Sequence, residues 1–387
     1  MLNRIIRIAA TTLGALLLLA GCARTSFDPA PGGEISFSAG SALLRDDATK
    51  SGTPKDSFDQ TSDAVGAASA DKFFVWGAKT ISASKYTVFD GDAVTLKNLG
   101  SDTSVGNPYD DVWTYSPARF WDSNASQYDF MAISGPASAS AVTCSPDEPG
   151  RMEALVTYSP IDPSGQTDIL AAFYQRSPVT PAAVHFNFTH ILSAVSVVIV
   201  NDSPTLPITL NSYRFKFIAT TGTGRVRQNG ASLATMNTDN WISLGGYSSD
   251  LILGSEPATP AILVKPSDAD YEDPADPANP KYNFYPTSTV TDLMIPQDLH
   301  PENPPFPQLV ISYSYNDGED RNVVTSIPLH EIKVRGSEDD YITEWKPGRK
   351  YNYEIHIRIG GGIYITVTTT DWEVVNAETP GLAIYDE

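Results

Sequence analysis

The sequence predicts an all-β chain folded as two β-sandwich domains in tandem. Three features point there. Short segments with apolar residues at every second position recur along the chain, as in residues 34–40 (EISFSAG), where Ile35, Phe37 and Ala39 share one face. Turn formers punctuate these segments: 29 prolines and 27 glycines stand among 387 residues, alongside 18 tyrosines and 15 phenylalanines that favour strands. No segment reads as a convincing amphipathic helix, so helices should be short and few, and the length exceeds that of one ordinary domain.

The chain opens on a secretory signal. Arg4 and Arg7 supply its positive end, and residues 9–20 (AATTLGALLLLA) supply an apolar run too short to span a hydrocarbon layer of about 30 Å. It ends in Leu19, Ala20, Gly21 and Cys22, a series that resembles the bacterial lipobox. Residues 1–21 are therefore expected to be removed, and the Cys22 sulfur to carry a diacylglycerol that holds the protein on a membrane by burying methylenes. No other apolar run approaches 18 residues.

Residues 22–33 follow as a Pro- and Gly-bearing tether, then the first strand at 34–40. Residues 41–70 form a long polar stretch with Arg45, Lys50 and Lys55, an exposed loop of the kind proteases cut. Strands are predicted at 72–79, 86–89, 128–133, 151–158 and 168–174, with an aromatic edge or turn segment at 113–120 because Pro117 cannot donate to a ladder. Residues 177–182 (SPVTPA) read as a linker and divide a first sandwich, 34–180, from a second, 181–387. Residues 184–200 (VHFNFTHILSAVSVVIV) read as one long central strand. Later strands are expected at 208–218, 248–253, 261–264, 309–315, 322–328, 351–359 and 363–370, the last two joined through Gly360, Gly361 and Gly362.

Composition excludes several functions. A net charge of −20 repels phosphate backbones, so nucleic acid is not a partner. Cys144 is the sole cysteine besides Cys22, so the mature chain forms no internal disulfide, and thiolate metal sites or redox chemistry are not expected. His190 falls on the same strand face as Phe186 and Phe188, the pattern of a hydrogen-bonded core histidine, while His185 points the other way. His300, His330 and His356 are scattered without ligand spacing. Asp268, Asp270, Glu272, Asp273 and Asp276 lack the glycine and glutamate of a calcium loop and read as a solvated run. No G-x-S-x-G elbow occurs, so no catalytic residues, metal or cofactor are assigned. Trp76, Trp113 and Trp121 are expected in the interior rather than as sugar platforms, and Trp345 as a turn anchor.

Several motifs in order carry a family resemblance. Phe186-Asn187-Phe188-Thr189-His190 with Ala194-Val195-Ser196-Val197, then Met294-Ile295-Pro296-Gln297, then Trp345 through Gly348 to Tyr351 and Tyr353, then Asp371-Trp372, resemble successive signatures of the fimbrillin family of Bacteroidales surface pili. In the first half, Tyr115-Ser116-Pro117, Phe120-Trp121, Tyr128-Asp129-Phe130-Met131-Ala132 and Asp168-Ile169-Leu170-Ala171 resemble the same family. A Pro- and Asp-rich insertion at 256–283 is not explained by it. The resemblance implies two tandem transthyretin-like sandwiches, export as an outer-membrane lipoprotein, and a non-enzymatic role in a surface fimbrium used for cell adhesion. It further implies that an Arg/Lys-specific surface protease removes the first strand, whose plug side chains would be Ile35, Phe37 and Ala39, by cutting at Arg45 or Lys50. The C-terminal strand of the next fimbrillin subunit would fill the groove; here that donor is expected at 376–387, with Leu382 and Ile384 on one face and Pro380 interrupting it. A host-cell or bacterial surface ligand is the expected adhesive partner. Two alternatives stand beside this stalk-or-tip subunit: a monomeric glycan-binding surface lipoprotein, and an anchor subunit that keeps its lipid.

Overall fold

A computed structural model describes residues 33–39, 72–98, 111–135, 142–148, 151–159, 166, 168–177, 181–230, 232–253, 260–265, 283–285, 291–337 and 340–371. The all-β expectation holds. Among the described residues the helical elements are three-residue 3-10 turns at Thr238–Asn240 and Leu329–Glu331, and no helix is long and apolar enough to cross a membrane.

In chain order the first strands are β1 (Phe37–Ala39), β2 (Lys72–Ile81), β3 (Ser84–Asn98), β4 (Asp111–Thr114), β5 (Gln127–Ser134), β6 (Val142–Glu148), β7 (Arg151–Tyr158), β8 (Leu170–Arg176), β9 (Val184–Phe186), β10 (Thr189–His190) and β11 (Ser193–Asn201). An antiparallel sheet runs β10-β8-β5-β2-β3-β4. Its central strands are buried on both faces, which explains the unbroken apolar run FFVW in β2. Phe74, Trp76, Met131, Ile133 and Phe173 face one way. Phe73, Val75, Phe130, Ala132 and Leu170 face the other.

The remaining strands are β12 (Ile208–Lys216), β13 (Thr221–Asn229), β14 (Ser232–Leu233), β15 (Trp241–Gly245), β16 (Ala261–Leu263), β17 (Phe284–Tyr285), β18 (Thr291–Met294), β19 (Gln297–Asp298), β20 (Gln308–Asn316), β21 (Asp320–Pro328), β22 (Lys333–Val334), β23 (Glu344–Trp345), β24 (Arg349–Arg358) and β25 (Gly362–Asp371). A sheet ordered β17-β11-β24-β25-β22, with β18 also on β11, shares one apolar core with the sheet β16-β12-β20-β21. Tyr213, Phe215, Trp345 and Tyr353 are its largest fully buried side chains. The β24–β25 hairpin turns through Gly360 and Gly362, whose φ angles of 78° and 85° suit glycine, as the triple glycine predicts.

The ladders depart from the sequence reading in three places. Residues 184–200 are not one strand. Side-chain alternation persists from Val184 to His190, but the hydrogen bonding passes from β1 at β9, to β8 at β10, to β24 at β11. The chain steps from one sheet to the next at Ile191 and Leu192, both buried. Second, residues 221–245 do not stay with the strands around them: β13 pairs with β7 and β15 with β13, completing a sheet β14-β13-β7-β6 that covers the Trp76 face of the first sheet. The division at 180/181 therefore does not separate the ladders. Third, residues 248–253 form no strand, only single bridges from Ser248 to Ile218 and from Leu251 to Phe215.

Candidate assembly groove

Residues 33–37 alternate as the sequence predicts: Glu34 and Ser36 are exposed, while Ile35 and Phe37 are buried at 0% and 6% exposure. The segment lies between two lips. On one side Ile35 N donates to Arg119 O (2.8 Å), Trp121 N donates to Gly33 O (3.0 Å), and Glu34 bridges Phe120 antiparallel. On the other, β1 runs parallel to β9, pairing Phe37 with Val184 and Ala39 with Phe186, and Val184 N donates to Ser36 O at 2.8 Å. The structure thus brings Ile35 and Phe37 into the core and sets the Ala39 backbone in the same ladder.

The floor is aromatic. Phe37 meets the rings of Phe89 (5.3 Å between centroids), Tyr115 (5.4 Å), Phe130 (6.2 Å) and Phe73 (6.3 Å) edge-on, and stacks on Phe186 at 5.7 Å. Edge-to-face and offset contacts of this kind match ring edges to ring faces and add to plain burial. The Tyr115 hydroxyl donates to Ile35 O at 2.6 Å, and burial pushes its pKa up to about 12.

The 115–122 lip is held by bonds that do not involve β1. Arg119 Nε donates to Val88 O (3.0 Å), its Nη1 to Pro117 O (3.0 Å), and its guanidinium lies 5.8 Å from the Phe89 ring centroid. Lys79 Nζ meets Asp122 Oδ2 at 2.6 Å; that hydrogen bond raises the lysine pKa and lowers the aspartate's. Asp122 N bonds the Tyr128 hydroxyl at 2.8 Å. The lip thus has supports of its own beside its bonds to residues 33–35. Sequence reading missed Arg119 and Phe89 as parts of this site, since neither the cation over the ring nor the long β3 carries a motif; Tyr115 was visible only within an aromatic block.

Other predicted residues fall as follows. His190 is buried and its Nδ1 pairs with Asp168 Oδ2, the core histidine expected. Trp345 is fully buried, its Nε1 donating to Tyr353 Oη at 2.9 Å, and Gly348 N donates to Leu192 O at 2.8 Å, which makes this turn the anchor expected. Trp76 and Trp121 are buried and Trp113 packs on Phe73 at 4.8 Å, so none of the three is a free sugar platform. His300 and His330, distant in sequence, stack at 4.3 Å beside Phe306. Cys22, Arg45, Lys50, Leu382, Ile384 and the acidic run 268–276 lie outside the described residues.

Fold and site together define an all-β sandwich protein in which residues 33–37 pack Ile35 and Phe37 into an aromatic core. Residues 62–372 match the sequence profile of the fimbrillin-like family, and the chain belongs to that family. Membership makes it a structural, non-enzymatic subunit of a cell-surface appendage, one that assembles with other fimbrillin subunits. The chain is similar to the crystal structure of a fimbrial protein from Bacteroides vulgatus (13% identity, covering 78% of this chain and 93% of that one, TM-score 0.46). It is also similar to the tip fimbrial protein Mfa3 from Porphyromonas gingivalis (12% identity, 78% and 94% covered, TM-score 0.38). No curated protein sequence matches it.

Proposed function

We propose that this subunit is exported as an outer-membrane lipoprotein acylated at Cys22, and that its first strand is a temporary plug. A surface protease specific for Arg or Lys cuts after Arg45 or Lys50, and the strand leaves with its lipid. The C-terminal strand of another subunit then takes its place. The contact is head-to-tail, so it propagates as a filament carrying an adhesive surface.

The observation that supports this best is the way the first strand is held between two lips while its side chains fill the core beneath. It pairs with β9 on one side and bonds Arg119 and Trp121 on the other, and Ile35 and Phe37 reach deep into the core. Each large apolar side chain buried is worth about 1.5–3 kcal/mol, so an unfilled groove is unstable, and an added strand restores both burial and main-chain bonds. Limited trypsin treatment of the folded chain tests this. Cleavage within residues 41–50, followed by loss of the first strand and a larger complex on size exclusion once a fimbrillin donor subunit is added, is the expected outcome. A loop that resists protease, or a cut chain that takes up no donor subunit, contradicts it.

A further inference from the structure

The groove's pockets specify which strand can replace the first one. Phe37 sits among five rings, four edge-on and one stacked, between 5.3 and 6.3 Å away. An aliphatic side chain there forfeits the edge-to-face contacts and leaves unfilled volume. Two residues before it, Ile35 is fully buried in the same cluster, while Ser36 between them is exposed. What the groove reads is thus an aliphatic side chain and a ring, two positions apart on one face. The Tyr115 bond to Ile35 O, by contrast, meets a backbone carbonyl that any strand supplies.

Resting on the strand-exchange reading, we infer that this groove selects a donor strand bearing a phenylalanine-type ring two residues from a leucine- or isoleucine-type side chain. The partner is therefore a different subunit rather than residues 376–387 of a second copy. One face of that segment carries Leu382 and Ile384 and brings no ring. Its other face carries Ala383 and Tyr385, with a methyl where Ile35 fills its site and a hydroxyl that is costly to bury without a bonding partner.

The test uses the whole chain, cut once by trypsin after Arg45 or Lys50, with its first strand still bound. Release of that strand is followed by mass spectrometry as peptides are added: residues 33–40, the same peptide with Phe37→Leu or Phe37→Ala, and residues 378–387. The unaltered peptide displaces the strand; Phe37→Leu requires about tenfold more and Phe37→Ala about a hundredfold more. The 378–387 peptide does not displace it at those concentrations. Displacement by 378–387 as readily as by 33–40 overturns the selection while leaving exchange intact. Failure of every peptide, 33–40 included, overturns exchange itself and the inference with it.

Discussion

Phe37 helps hold the first strand through a cage of rings. Five rings surround it, whereas Ser36 beside it faces solvent. Phe37→Ala should lower stability by about 3–5 kcal/mol, and Ser36→Ala by no more than about 0.5 kcal/mol, both read from urea unfolding midpoints. Tyr115 adds a pH dependence. Its folded pKa of about 12 lies above the ordinary 10.0, so its contribution is fully present below pH 10 and is lost as pH rises through 12. Unfolding midpoints should fall across that window, and Tyr115→Phe should flatten the fall. Tyr351 and Tyr364, also raised to about 12, leave a residual slope.

Among the elements, what the sequence made legible was whatever alternates or runs apolar. β2, β5, β7, β20 and β24 fall within a few residues of their predicted bounds because their side chains alternate or fill both faces. β13 was hidden: TGTGRVRQN holds two glycines and two arginines, with Val226 its one apolar side chain in the core. Gly224 has a structural reason to be there. A Cβ at that position would stand 3.0 Å from Cζ2 of Trp241, so the indole lies directly on the bare backbone. Gly224→Val should destabilise the chain by about 1–3 kcal/mol and shift the near-UV signal of Trp241. A spectrum and midpoint unchanged by that substitution would mean the β13–Trp241 packing is wrong. The split of residues 184–200 into three strands was hidden for a different cause. Local pattern reports which face a side chain takes, and Phe186, Phe188 and His190 do share one; it does not report which neighbour the backbone bonds. The groove was half legible in the same sense. The buried face, Ile35 and Phe37, could be read from EISFSAG, while the lip built by Arg119, Asp122 and Tyr128 depends on contacts distant in sequence.

At the scale of the molecule, charge and assembly pull against each other. Subunits as acidic as this chain, −20 over its full sequence, repel one another, and on the strand-exchange reading apolar burial has to overcome that repulsion. Capture of an equally acidic donor subunit by the cut chain should therefore accelerate as salt rises from about 0.01 to 0.15 M, where the screening length shrinks from about 30 to 8 Å. Light scattering at the two salt concentrations measures it, and slower capture at high salt would mean that charge attraction drives the contact instead. On the proposed reading, the lipid expected at Cys22 belongs to the same scale, as a carrier that leaves with the first strand. The most direct measurement is the N-terminal residue of this protein recovered from surface fimbriae. A chain that begins at Asp46 or Ser51, without Phe37 and without lipid, is the result expected. Assembled subunits that still begin at acylated Cys22 and retain residues 34–39 would contradict the account.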